Sequence, residues 1–128
     1  LIQPMMDKTR DSYNLDNFSQ QIAHAALSDQ AYARTNWEKV RQERARLSGL
    51  LSQLGLVSQP TETNFLLCQV QQSCGISAEN IYRELKEKKV LIRYFNAPGL
   101  TDKIRITIGT AEENDQLIQT LREILANH

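Results

Sequence analysis

The sequence predicts an α+β fold: N-terminal helices, one of them long, followed by a β-α-β-β-α unit with a mainly antiparallel three-stranded sheet covered by helices on one face. Three observations carry this reading. Apolar residues recur at helical spacing as far as Leu54. Beyond Pro60 the pattern changes to strand, helix, strand, strand, helix. Within that half, residues 90–110 (VLIRYFNAPGLTDKIRITIGT) hold two apolar runs around a loop supplied by Asn96, Pro98 and Gly99, which reads as a hairpin.

Local chemistry accounts for each element in turn. Residues 1–14 form a first segment, irregular around Pro4. Asp16 caps a helix with Phe18, Ile22, Ala25 and Ala26 on one stripe, ending near Ser28 to Gln30. A second helix runs from about Ala31 to Leu54, carries Trp37, Val40, Leu47, Leu51 and Leu54 along one side, and stops at Gly55. At about 1.5 Å per residue it reaches over roughly 30 Å, more than so small a core requires, so it is expected to pack on something outside the chain. These helices occupy residues 15–58. Residues 59–128 hold the β-α-β-β-α core, the whole being one domain.

In that core, residues 65–70 form the first strand, and Ser77 caps a helix carrying Ile81, Tyr82 and Leu85. Lys86, Lys88 and Lys89 lie at its C-terminal end, where cations favour the helix dipole. Thr110 with Glu113 makes a capping box for the last helix, whose inner stripe is Leu117, Ile118, Leu121, Ile124 and Leu125. A crossover makes the first two strands parallel, and the hairpin returns the third between them, giving a strand order of 1-3-2.

Composition excludes several classes of partner. Fifteen basic and fifteen acidic side chains cancel, so no net field draws the chain to nucleic acid or an acidic membrane surface. No apolar run approaches the roughly 18 residues of a membrane span and no secretory pattern opens the chain, so the cytoplasm is the expected compartment. Cys68 and Cys74 have no cysteine or histidine pair beside them to complete a zinc set, and neither metal nor disulfide is assigned. Cys68 reads as a small core residue. The charged side of the long helix interleaves acids with bases and reads as a solvated or domain-spanning surface. Leu1, Ile2, Met5 and Met6 are apolar with no preceding element to pack on, and the chain reads as a fragment.

The hairpin carries the candidate site. If Ile104, Ile106 and Ile108 line one strand face, Arg105 and Thr107 point to the other, and Arg93 on the neighbouring strand can share that side. Two guanidinium groups held together are costly unless an anion sits between them, and each binds carboxylate or phosphate through two parallel hydrogen bonds. The alternative is that both arginines simply line a solvated sheet face.

Four pieces of the chain support the first reading: Arg10-Asp11-Ser12-Tyr13-Asn14-Leu15, Thr63-Asn64-Phe65-Leu66-Leu67, Val90-Leu91-Ile92-Arg93, and Arg105-Ile106-Thr107-Ile108-Gly109-Thr110 followed by Glu112-Glu113-Asn114. In this order and spacing they resemble the C-terminal part of class I and II pyridoxal-phosphate aminotransferases, most closely the histidinol-phosphate branch. The resemblance implies the small domain of PLP fold type I enzymes. It implies that Arg105 is the substrate-anion arginine, that Arg93 assists it, and that Tyr13 and Asn14 lie on an interface stretch near an active site of the dimer. The implied partners are the large cofactor-binding domain of the same enzyme, a second copy in a homodimer, and small anionic substrates, an amino phosphate and glutamate or 2-oxoglutarate.

The resemblance also implies pyridoxal phosphate, bound by a large domain through a lysine in a Ser-Lys context. None of Lys8, Lys39, Lys86, Lys88, Lys89 or Lys103 follows a serine. No catalytic residue is therefore expected here, and the chain alone is expected to be inactive. Competing readings are another enzyme on the same scaffold, such as an aromatic aminotransferase or a threonine-phosphate decarboxylase; a free-standing module binding small anions; and an interaction module that exposes Trp37 and its leucine stripe.

Overall fold

Proline lacks the N–H that a helix interior needs but costs nothing in the first turn, and Pro4 sits there. The stretch expected to be irregular is thus helical: α1 spans Gln3–Thr9. The computed structural model describes residues 2–9 and 15–128, and the chain divides into two compact units, residues 1–35 and 36–128. In the first unit α2 spans Asn17–Ser28. Its cap is the expected Asp16, whose carboxylate accepts from the Ser19 backbone at 2.9 Å and the Ser19 hydroxyl at 2.6 Å. No residue of α2 is buried, and Phe18, Ile22 and Leu27 all face outward.

The long helix, α3, spans Gln30–Gln53, and the boundary between the units falls within it. Its C-terminal half delivers Leu47 and Leu51, both fully buried, to the core of the second unit, while Trp37 stays 52% exposed. Gly55 ends the helical stretch with φ +80°, and a Cβ there would lie 2.7 Å from Cys74 Sγ, so both backbone and space demand glycine.

The sheet contains β1 (Leu56–Ser58), β2 (Phe65–Val70), β3 (Arg93–Tyr94) and β4 (Lys103–Thr107) in the order β1-β2-β4-β3, every neighbour antiparallel. The three strands expected stand in the expected order, with β4 between β2 and β3. Two features differ. The sheet has a fourth strand, β1, which returns from Gly55 along the outer edge of β2 and was too short to show an alternation. The strand expected near residue 90 is reduced to two residues: Lys89 takes φ +62°, and residues 90–92 make no ladder pair with β4. The hairpin turn is as expected: Leu100 N–H bonds the Ala97 carbonyl at 3.0 Å across Pro98-Gly99, and Gly99 has φ +78°.

Two further helices, α4 (Ala78–Glu87) and α5 (Ala111–Leu125), start at their expected caps, Ser77 and the Thr110–Glu113 capping box. They cover the inner sheet face. Leu66, Cys68, Ile104 and Ile106 of the strands pack with Ile81, Leu85, Leu117, Ile118, Leu121 and Ile124 of the helices and with Leu47 and Leu51. Tyr94 of β3 stacks on Tyr82 of α4 at 6.1 Å. Burial pushes the Cys68 thiol up to about 12, so it behaves as an apolar core atom.

Candidate functional site

The outer face of the same sheet carries the site. Because side chains alternate, the register places Leu67, Arg105 and Arg93 in one row across β2, β4 and β3, flanked by Phe65 and Thr107 in the row on one side and by Val57, Gln69 and Lys103 in the row on the other. Arg93 and Arg105 are direct cross-strand partners, the arrangement that brings opposing Cβ atoms to about 5 Å. The predicted pair of arginines on one face is therefore what the backbone builds.

Aromatic rings hold the two guanidinium groups. Phe95 lies 5.4 Å from the Arg93 guanidinium carbon and 5.8 Å from that of Arg105, and Phe65 lies 5.2 Å from Arg105 on its β2 side. Rings stacked on a guanidinium stabilise it while leaving its in-plane N–H groups for other partners. No carboxylate among the described residues uses them, since neither arginine forms an ion pair or a side-chain hydrogen bond with any described residue. Arg105 Nε is, moreover, the only buried side-chain nitrogen or oxygen among the described residues with no hydrogen-bond partner. Leaving such a group unmet costs about 1–3 kcal/mol, more for a charged one. Two arginines of α3 behave differently: Arg44 binds Glu62, and Arg46 binds Glu43 and Asp115.

Beside the arginine row, a hollow of about 150 Å³ is lined by Val57, Pro60, Phe65, Leu67, Gln69 and Lys103 among others. Its cation is already engaged. Lys103 Nζ donates to Asp102 at 2.6 Å and to the Gly99 carbonyl at 2.8 Å, and the Asp102 carboxyl is held below the usual carboxylate range chiefly by that hydrogen bond. Lys8, Lys39, Lys86, Lys88 and Lys89 are exposed. A lysine that reacts with a carbonyl near neutral pH needs a desolvated or charge-tuned setting, which none of these side chains has, so the residues of this chain do not fit the role of anchoring pyridoxal phosphate. No group of three or more His, Cys, Asp or Glu placed to hold a metal occurs among the described residues. Among the described residues no helix is long and apolar enough to cross a membrane.

Of the sequence candidates, Arg93 and Arg105 come together; Tyr13 and Asn14 lie outside the described residues. Phe65 and Phe95 were not singled out beforehand. Phe65 had a signal, its place two residues before Leu67 on the outward side of β2, but Phe95 lies beyond the short β3 and only the fold brings it over both arginines.

Comparison with known proteins follows the same outline. The family model described as aminotransferase class I and II matches residues 3–121. A histidinol-phosphate aminotransferase of Nostoc sp. is 48% identical over 118 residues, covering 92% of this chain and 33% of that protein. One from Microcystis aeruginosa is 44% identical over 123 residues, covering 96% and 34%. The crystal structure of histidinol-phosphate aminotransferase from Sinorhizobium meliloti in complex with pyridoxal-5'-phosphate superposes with a TM-score of 0.81 at 27% identity, over 96% of this chain and 33% of that one. The chain thus spans about a third of the length of the curated relatives it matches.

Proposed function

The chain belongs to the aminotransferase class I and II family, and from that premise we propose that it is the small-domain portion of a cytoplasmic, homodimeric, pyridoxal-phosphate-dependent transaminase whose arginine pair holds the substrate anion. The reaction proposed is transfer of the amino group of L-histidinol phosphate to 2-oxoglutarate, giving imidazole acetol phosphate and glutamate. The observation that carries this reading is the unpartnered, buried Nε of Arg105, directly across the sheet from Arg93 with no carboxylate of the described residues between them.

Within this reading the cofactor supplies the electron sink for amino transfer and is bound by the part of the enzyme outside this chain. The residues here bind and orient. A phosphate dianion offers enough acceptor oxygens for both guanidinium groups, and the Phe65 and Phe95 rings fix the planes in which those bonds form. The same pair accepts a carboxylate of glutamate in the other half-reaction, so one site serves both substrates. Tyr13 and Asn14 are further proposed substrate contacts, from the resemblance alone. Without the cofactor-anchoring portion the chain is inactive by itself.

The test is steady-state kinetics of the longer enzyme carrying Arg105→Ala. Loss of about 1.5–3 kcal/mol of anion recognition, a rise of roughly 10- to 150-fold in KM for histidinol phosphate, is expected. Unchanged KM and turnover would sink the role. Comparing histidinol phosphate with an aromatic amino acid in the same assay separates the proposed reaction from that of an aromatic aminotransferase, which would use the same arginines.

A further inference from the structure

The strand that carries Arg105 is supported unequally on its two edges. On the β2 edge the ladder is complete: Ile108 N–H donates to Asn64 O at 2.9 Å and Val70 N–H donates to Asp102 O at 2.9 Å, bracketing β4 at both ends. By antiparallel alternation the backbone groups of Lys103, Arg105 and Thr107 point to the other edge. There β3 pairs only at Arg93 and Tyr94, and continuing its register would set Leu91 opposite Thr107. Instead residues 90–92 diverge, opening a cleft of about 340 Å³ lined by Leu91, Ile92, Thr107, Gly109 and Asn114 among others. Immediately after the arginine pair, then, β4 lacks a neighbour on one side.

A buried asparagine grips the chain just beyond that gap. Asn114, 2% exposed, accepts the Gly109 N–H on Oδ1 at 3.1 Å and donates from Nδ2 to the Gly109 carbonyl at 3.1 Å. Only a side-chain amide carries the donor and the acceptor that this two-point hold requires. Its remaining N–H reaches Glu43 Oε2 of α3 at 2.8 Å. Glu43 is in turn fixed by Arg46, at 3.0 Å from Nε to Oε1 and 2.8 Å from Nη2 to Oε2, and Arg46 continues to Asp115 at 2.6 Å. A Cβ on Gly109 would lie 2.6 Å from Glu113 Oε2 and 3.0 Å from Glu113 Cβ, so a larger residue there would push on the side chain that completes the Thr110 capping box.

We propose that Asn114 is a positioning residue for the arginine pair: with Glu43 behind it, it clamps Gly109, replaces the ladder that β3 fails to provide, and so keeps Arg105 in register opposite Arg93. This rests on the anion-clamp reading of the two arginines. The grip matters at this place because only three residues separate Arg105 from Gly109, and a strand end held on one edge alone is free to twist its side chains out of alignment.

The test uses the full 128-residue chain, labelled with nitrogen-15, read at the Arg105 Nε–H resonance and at the exchange rates of the Ile106 and Ile108 amides. Asn114→Ala is expected to displace the Arg105 signal and speed exchange at Ile106 and Ile108 by about tenfold or more, with the Leu85 and Leu121 amides unchanged. Asn114→Asp should do the same, since it keeps the acceptor for Gly109 N–H but sets a carboxylate against Glu43. Adding Glu43→Gln to it relieves the contact between carboxylates but supplies no donor for the Gly109 carbonyl, so the Arg105 signal should stay displaced. Glu43→Ala, a milder change that leaves Gly109 held, should move the same signals less, and it decides the matter should Asn114→Ala not fold. An unmoved Arg105 signal, or faster exchange spread evenly to Leu85 and Leu121, would overturn the proposal. Titration of the unmodified chain with inorganic phosphate separates the premise: if the Arg93 and Arg105 signals ignore phosphate, the anion clamp fails, while the Arg105 response to Asn114→Ala still judges the positioning role.

Discussion

The two faces of one four-stranded sheet have been built to opposite rules. Toward the helices, Leu66, Cys68, Ile104 and Ile106 are almost wholly removed from water and pack within one apolar cluster. On the other side, one residue along each strand, Leu67, Arg105 and Arg93 form a row in which two cations stand together between aromatic rings and Arg105 leaves a buried N–H unmet. The first face gains by burial, at roughly 25 cal/mol per Å² of apolar area. The second gives up some of that gain to hold two cations side by side. A period of two residues lets a single strand, β4, serve both purposes, since neighbouring residues never share a side.

Substitutions on the two faces should therefore differ in sign as well as size. The largest effect is expected on the inner side: Ile106→Ala removes a fully packed side chain and should lower unfolding free energy by about 2–5 kcal/mol, measured by urea denaturation. A loss well under 1 kcal/mol would mean that the inner face is not the chain's core. Next, Arg105→Met keeps the length of the stem and removes the unmet buried donor, so without anion it should leave stability unchanged or raise it by about 1 kcal/mol. Destabilisation as large as that of Ile106→Ala would show the guanidinium to be structural and the contrast between faces false.

The smallest effect lies on the helix-covered side, where α3 meets α5. The Arg46 and Asn114 hydrogen bonds hold the Glu43 carboxyl below its ordinary value of 4.5. A lowered carboxyl contributes stability that is complete above that ordinary value and disappears as pH falls through the lowered one. Thermal melts from pH 6 to pH 3 should thus lose less in Glu43→Gln than in the parent chain, and equal losses would show that this carboxylate adds nothing.

Much of this could be read from residues close together in sequence. The caps at Asp16, Ser77 and Thr110 act over three residues, and the Ile104-Ile106-Ile108 alternation turns Arg105 outward whatever surrounds the strand. Features that span longer distances were not readable. Strand β1 exists only because β2 offers an edge to Leu56–Ser58, and residues 90–92 leave the sheet although their apolar run suggested a strand. Asn114 was visible as part of a motif, but its bond to Glu43 crosses 71 residues of sequence.

Local propensity and side-chain period determined, from the sequence alone, where the capped helices begin, that Arg105 faces away from the Ile104-Ile106-Ile108 side, and that two arginines can share a side. Only tertiary structure decided that their Cα positions are direct partners, that Phe95 lies over both, and that one edge of β4 is left open with Asn114 beside it. The physical reason is range: capping and alternation are settled within a few residues, whereas pairing register, ring stacking and the hold on Gly109 depend on which distant segments the collapsed core brings together.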